Sequence, residues 1–243
     1  MLSPTPPCPI AYLAIARSDA VLQRLPAAAW TWLSDSEQSR LQSLRVAARR
    51  NHFLAGHWLV RELLVHAFAG STPATRRAEN WSLREIKSQA PRVLDHDELH
   101  LSISHSGNWV AAAVAKQPVG IDLEQRPRTL DRAIQDLLLN PNEAPENVDN
   151  DELLQRWVAK EAWLKMRGEG ALPQRLRQLH LHPSSSEFAN VISYRSAHFH
   201  FAVATASMTT LAWANEAGAT QSSAYRLEHG DHRGAMIQGP PQR

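Results

Sequence analysis

Val119-Gly120-Ile121-Asp122-Leu123-Glu124 and, further along, Trp157-Val158-Ala159-Lys160-Glu161-Ala162-Trp163-Leu164-Lys165 decide how this chain is read. A strand sends residues i and i+2 to one face. Asp122 and Glu124 therefore project together, while Ile121 and Leu123 face a core. Two carboxylates on one strand face repel each other unless a cation sits between them. Mg²⁺ takes oxygen ligands and keeps waters and substrate phosphates in its shell. Taken alone, the same strand also reads as a pair of solvated acids. Glu161 and Lys165 stand at i and i+4 of a helix. That spacing suits a surface ion pair worth about 0.3 kcal/mol. It equally suits a general base beside a cation that steadies a departing phosphate. If strand and helix face each other, three carboxylates and a lysine meet, a set suited to holding a divalent metal against a pyrophosphate.

Working outward, Lys116-Gln117-Pro118 turns the chain into that strand from a continuous apolar run, Trp109 to Ala115, which reads as a buried strand. Leu99, Leu101 and Ile103 alternate with polar residues, a half-buried strand. Ser104-His105-Ser106-Gly107-Asn108 has turn chemistry. Upstream, Ile10 to Ala16 reads as a strand. Ser34 with Glu37 forms a capping box that opens a helix to about Leu44. A longer helix runs from about Val46 to Phe68. Helical patterning recurs at about Leu130 to Leu139 and at Asp151 to Met166, and strands follow at Gln178 to His182, His198 to Ala206 and Thr209 to Ala214. Each half thus runs strand, helices, strands. The expected class is α+β, with two similar lobes in one chain, 1–117 and 118–217. From Gly218 the chain turns polar and rich in Gly, Ser and Gln, so 218–243 is expected to be a disordered tail.

The composition limits the alternatives. With 243 residues, 43% of them hydrophobic, and eight tryptophans, the chain can bury a sizeable core. A single cysteine, Cys8, excludes an internal disulfide framework and fits a reducing, cytoplasmic setting. The N-terminal residues carry no signal-peptide pattern, and no stretch approaches the roughly 20 apolar residues needed to span a bilayer. A net charge of +2 is compatible with an anionic ligand but too weak to argue for nucleic acid.

Other polar groups read more weakly. Ser104 and His105 can donate hydrogen bonds to a phosphate, yet turn residues also bond their own backbone. No Gly-x-Ser-x-Gly element supports a serine hydrolase. Arg40, Arg45, Arg49, Arg50 and Arg61 line the two N-terminal helices; arginine suits phosphate geometry, and a solvated basic face is the plain alternative. The pairs His180/His182 and His198/His200 lack the further ligands a zinc site needs.

These segments resemble the two signature motifs of the 4′-phosphopantetheinyl transferases, in the larger, surfactin-synthetase-activating type. Ser102-Ile103-Ser104-His105-Ser106-Gly107 is similar to that type's Ser-His loop, and Leu54 to Arg61 to its N-terminal helix. The resemblance covers roughly Ser34 to Gly170. It implies two α+β lobes related by a pseudo-twofold, in a monomer. It implies Mg²⁺-dependent transfer of the 4′-phosphopantetheine arm from coenzyme A to a serine of an apo acyl or peptidyl carrier protein. On that resemblance Asp122, Glu124 and Glu161 hold the metal. Glu161 also takes the serine proton, and Lys165 assists the departing 3′,5′-ADP. Ser104, His105, Arg40, Arg61 and Lys160 contact coenzyme A. Two positions depart from the family pattern. Ala90 stands where a lysine is common, with Arg92 nearby as a substitute, and Val158 follows Trp157 where Ser, Thr or Cys is usual. A non-catalytic module that binds coenzyme A or carrier proteins is the alternative these departures allow. A metal-dependent nuclease is disfavoured by the weak charge.

Overall fold

The computed structural model describes residues 11–68, 70, 73–140, 148–169, 173–185, 189–206, 210–215 and 220–229. Cys8 lies outside them.

The N-terminal half opens with β1 (Ala11–Arg17) and the short α1 (Ser18–Leu22). Then come α2 (Asp35–Ser43) and the 22-residue α3 (Ala47–Phe68). The capping box at the head of α2 forms as expected, with Ser34 Oγ accepting from the Glu37 amide and Glu37 returning to the Ser34 amide. A two-stranded ribbon, β2 (Leu83–Arg84) with β3 (Arg92–Val93), leads to the hairpin β4 (His100–Ser106) and β5 (Trp109–Ala115). The C-terminal half holds β6 (Val119–Gln125), α4 (Arg132–Leu138), α5 (Asn150–Met166), α6 (Pro173–Leu176) and β7 (Leu179–Pro183). It ends with β8 (Val191–Arg195), β9 (Phe199–Thr205), β10 (Leu211–Asn215) and β11 (Thr220–His229).

Two main sheets form, ordered β10-β1-β5-β4 and β6-β9-β8-β11-β7. The outer face of the first packs on α3, where Leu59, Leu63 and Leu64 meet Val110, Ala112 and Val114. The outer face of the second packs on α5, where Leu154, Val158 and Ala162 meet Val191, Ala202 and Ala204. The inner faces pack on each other: Leu13, Ile15, Ala111 and Ala113 lie against Ile121, Leu123, Phe201 and Val203. Each central strand is therefore buried on both sides, which is why β5 reads as an unbroken apolar run rather than an alternation. Both halves repeat one plan, a sheet with a long helix on its outer face.

Three expectations are corrected. The span 218–243 is not wholly a tail, because Thr220–His229 forms β11, paired between β7 and β8; residues 230–243 lie outside the described residues. The lobes are not contiguous in sequence, because β10 returns to the first sheet and pairs parallel with β1. It is drawn there by the inter-sheet core, where the Trp213 ring sits 5.0 Å from Tyr194 and 5.7 Å from Phe201. Ser104, His105 and Ser106 belong to β4, and the turn is only Gly107-Asn108. Serines at alternate positions put their hydroxyls on one face of β4, against β6, where they satisfy an otherwise unpaired edge.

Candidate functional site

The site is built where β6 meets both β4 and α5. Gly120 sets the helix-strand distance. A Cβ there would lie 2.1 Å from the Ala162 carbonyl oxygen and 2.3 Å from the Met166 amide nitrogen. Only a residue without a side chain lets the last turns of α5 come this close, and that approach brings Lys165 over the strand. On the other side, Ser102 Oγ accepts from the Ile121 amide at 3.0 Å and Ser104 Oγ from the Leu123 amide at 3.2 Å. The two sheets are stitched edge to edge through serines.

Strand alternation then does what the sequence implies. Ile121 and Leu123 enter the inter-sheet core, and Asp122 and Glu124 turn toward α5. Lys165 Nζ donates to Asp122 Oδ1 at 2.7 Å, and Ser104 Oγ donates to the same oxygen at 2.8 Å. Ser106 Oγ donates to Glu124 Oε2 at 2.7 Å, and Arg128 forms an ion pair with that oxygen. Trp157, Glu161 and Lys165, at i, i+4 and i+8 of α5, share the helix face toward these acids.

Electrostatics bind the group together. Burial, then the charge of Asp122, pushes the Glu161 carboxyl up to about 8, with Lys165 opposing the rise and Glu124 adding to it. Burial works against the Lys165 ammonium, but Asp122 and Glu161 outweigh it and hold its pKa above the usual lysine value. Asp122 and Glu124 thus share one small region with Glu161 and raise its proton affinity. Asp122 Oδ2 is buried and has no hydrogen-bond partner among the described residues. The donors are all oxygen, and that orphaned carboxylate oxygen fits a hard divalent cation that completes its shell with water and substrate phosphates. Among the described residues no three His, Cys, Asp or Glu side chains already converge on a metal-sized point.

A groove leads away from Lys165. Its inner part, about 230 Å³, is lined by Ser88, Ala90, Pro91, Ile103 and Lys165. Pro91 and Ile103 also border a cleft of about 350 Å³ that carries Arg40, Arg49, His52 and His105. A further cleft of about 520 Å³ adds Lys87 beside Arg40. His105 stacks on His52 with centroids 4.5 Å apart. Desolvation against that ring, the neighbouring His52, and the charges of Lys165 and Arg49 push the His105 imidazole down to about 4. It is a neutral donor or acceptor at physiological pH. Arg92 lines a cavity that reaches Ala90 and Lys165.

The residues named from sequence divide accordingly. Asp122, Glu124, Glu161 and Lys165 come together, and Ser104 joins them as a bridge between Asp122 and Lys165 rather than as a groove residue. His105 and Arg40 line the groove. Arg61 and Lys160 do not. Arg61 is fully buried; its guanidinium grips Glu37 at 2.9 and 2.7 Å and donates to the Trp32 carbonyl. Lys160 is also fully buried and donates to the Leu138 carbonyl at 2.9 Å, on the α4 side of the helix. Both were expected to contact coenzyme A, and both instead hold elements of their own lobe. The sequence shows Arg49 only as one of several helix arginines and does not single out Ser106, His52 or Arg128 as site residues. The period-two run Ser102, Ser104, Ser106 was the available signal for Ser106; His52 and Arg128 become neighbours of the site only through tertiary packing.

Residues 118–218 match the model of the 4′-phosphopantetheinyl transferase superfamily, a span that includes Asp122, Glu124, Glu161 and Lys165. The chain is 28% identical over 165 residues to the 4′-phosphopantetheinyl transferase ffp of Bacillus subtilis, covering 62% of this chain and 72% of that protein. It is 33% identical over 102 residues to the 4′-phosphopantetheinyl transferase Sfp of Bacillus subtilis strain 168, covering 38% of this chain and 44% of that one. Among solved structures it matches an acyl carrier protein synthase (AcpS) of Mycobacterium tuberculosis at 16% identity and TM-score 0.30, over 43% of this chain and 93% of that chain.

Proposed function

We propose that this chain, whose residues 118–218 match the 4′-phosphopantetheinyl transferase superfamily, moves the 4′-phosphopantetheine arm of coenzyme A onto a serine of an apo acyl or peptidyl carrier protein. The observation that carries the reading is the meeting of Lys165 with Asp122 at 2.7 Å beside a carboxyl, Glu161, whose proton affinity is raised to about 8. A group poised near neutrality is suited to take a proton. In this scheme Glu161 accepts the proton of the carrier serine hydroxyl. The serine oxygen bonds to the phosphorus that bears the pantetheine arm, and the pyrophosphate P–O bond breaks. Lys165 stabilises the charge that develops on the departing 3′,5′-ADP.

Asp122, Glu124 and Glu161 would hold Mg²⁺. When bound, that cation offsets the negative charge of the pyrophosphate. Arg40, Arg49 and His105 supply the anion-binding end of the groove, with arginine forks matched to phosphate oxygens. Arg92 stands in the cavity beside Ala90 and supports a substitute role for the lysine expected there. The single cysteine and the net charge of +2 support a cytoplasmic protein without a nucleic-acid role. Action as a monomer, independent of membranes, belongs to the same proposal.

The test is release of 3′,5′-ADP from coenzyme A. Release that requires an apo carrier and Mg²⁺, and is lost in Glu161→Gln, supports the scheme. Coenzyme A binding with no release on any carrier supports a binding module instead.

A further inference from the structure

Each strand acid of the site is already met by one cation and one serine. Lys165 and Ser104 converge on Asp122 Oδ1, and Arg128 and Ser106 converge on Glu124 Oε2. Three acids and two cations leave a net charge of only −1. The metal-free site is therefore close to neutral without help.

Arg128 is held in place by more than its carboxylate. Its guanidinium lies over the Trp157 ring, 5.5 Å from the centroid. Its backbone is stapled to the first residue of α5, because Asn150 Nδ2 donates to the Arg128 carbonyl at 2.5 Å and Asn150 Oδ1 accepts from the Leu130 amide at 2.9 Å. One residue on, Asp151 pairs with Arg126 at 2.6 Å. The head of α5 thus fixes the segment that carries Arg128, while the Arg128 side chain itself is 39% exposed, against 12% for Glu124. The acid is fixed and largely buried; the arginine has a long stem and open water beside it.

We propose that Arg128 is a placeholder cation: it occupies Glu124 when no divalent ion is present, moves off as the ion enters, and so sets how tightly the site loads. This rests on the proposed function in one respect, that Asp122, Glu124 and Glu161 hold the ion. A guanidinium and a divalent ion cannot share one carboxylate oxygen without like charges in contact. The cost of breaking the Arg128–Glu124 pair is therefore subtracted from ion affinity. Arg128 acts through Glu124 and is a positioning residue, with no contact to the reacting atoms.

The experiment is titration of the full chain with Mn²⁺ alone, following the free ion by electron paramagnetic resonance. Wild type is compared with Arg128→Gln, Arg128→Lys and Asp122→Asn. Arg128→Gln keeps a stem to cover Trp157, and its melting curve in chelator reports whether it is folded. The expected result is about fivefold tighter Mn²⁺ binding for Arg128→Gln, the scale of one partly exposed ion pair, with Arg128→Lys within about twofold of wild type. Equal or weaker binding by folded Arg128→Gln overturns the placeholder role while leaving the metal site standing. Mn²⁺ uptake by wild type that Asp122→Asn does not reduce overturns the metal site, and the proposal with it.

Discussion

Lys165 Nζ sits 2.7 Å from Asp122 Oδ1, and this one contact joins the two segments whose meeting the sequence left open. It depends on Gly120, two residues before Asp122, where α5 approaches the strand too closely for any side chain. In the proposed function Lys165 meets the charge that develops on a departing phosphate. Lys165→Ala is expected to fold and to lose about 100-fold or more in turnover, the scale of removing one preorganised charge-stabilising group. Steady-state rates with coenzyme A and an apo carrier check this. A loss below about tenfold would contradict the role.

Gly120→Ala tests the packing that places Lys165. Its methyl group would need the backbone of Ala162 and Met166 to move, and backbone cannot yield as a flexible side chain does. A destabilisation of about 1–3 kcal/mol, read from the urea midpoint, is expected together with a loss of turnover larger than the unfolded fraction explains. Unchanged stability and turnover would show that α5 has slack at this point.

Glu161 gives a pH signature. Its carboxyl is raised to about 8 in the folded protein, from an ordinary 4.5, by burial and by Asp122. Between those values the folded state keeps a proton that the unfolded chain has lost, so this group's contribution to stability falls as pH rises. It levels off above about 8. In chelator, wild type is expected to lose melting temperature from pH 5 to 8 relative to Glu161→Gln, with the gap constant at higher pH. Loading a divalent ion in that window should release a proton to the buffer, which calorimetry in buffers of different ionisation heat measures. Parallel melting curves for the two proteins would contradict the shift.

Arg61 and Arg40 separate structure from binding. Arg61 is fully buried against Glu37, the glutamate of the α2 capping box. Arg61→Ala leaves that carboxylate buried and unpaired and is expected to cost about 3–5 kcal/mol of stability. Arg40 is exposed and borders both cationic clefts. Arg40→Ala is expected to weaken coenzyme A binding about tenfold, the scale of one charge-assisted phosphate contact, with stability unchanged. Equilibrium unfolding and coenzyme A titration on both variants distinguish these effects; the reverse pattern would restore Arg61 to the binding site.

Local signals carried much of the fold. The capping box, the long helix and the alternation of β4 and β6 are short-range patterns, and they appear where the residues put them. Asp122 and Glu124 share a face because strand geometry requires it, and Glu161 with Lys165 because helix geometry does. Contacts between distant segments were not legible in the same way. Nothing near Leu211 announces a parallel pairing with β1, and the polar composition after Gly218 hid β11, half of whose bonding is to β7. Arg61 and Lys160 look like surface cations in sequence; only burial beside Glu37 and the Leu138 carbonyl shows otherwise. Ser104 to Ser106 looked like a turn because Ser, His and Gly favour turns, whereas here the serine hydroxyls bond to the amides and acids of a neighbouring strand.

The proposed function requires this site to transfer a phosphopantetheine arm. The most direct measurement is the intact mass of apo acyl and peptidyl carrier domains after incubation with this protein, coenzyme A and Mg²⁺. A gain of one phosphopantetheine arm on at least one carrier is expected, abolished by chelation and by Glu161→Gln. No gain on any carrier from folded wild-type protein that binds coenzyme A would contradict it.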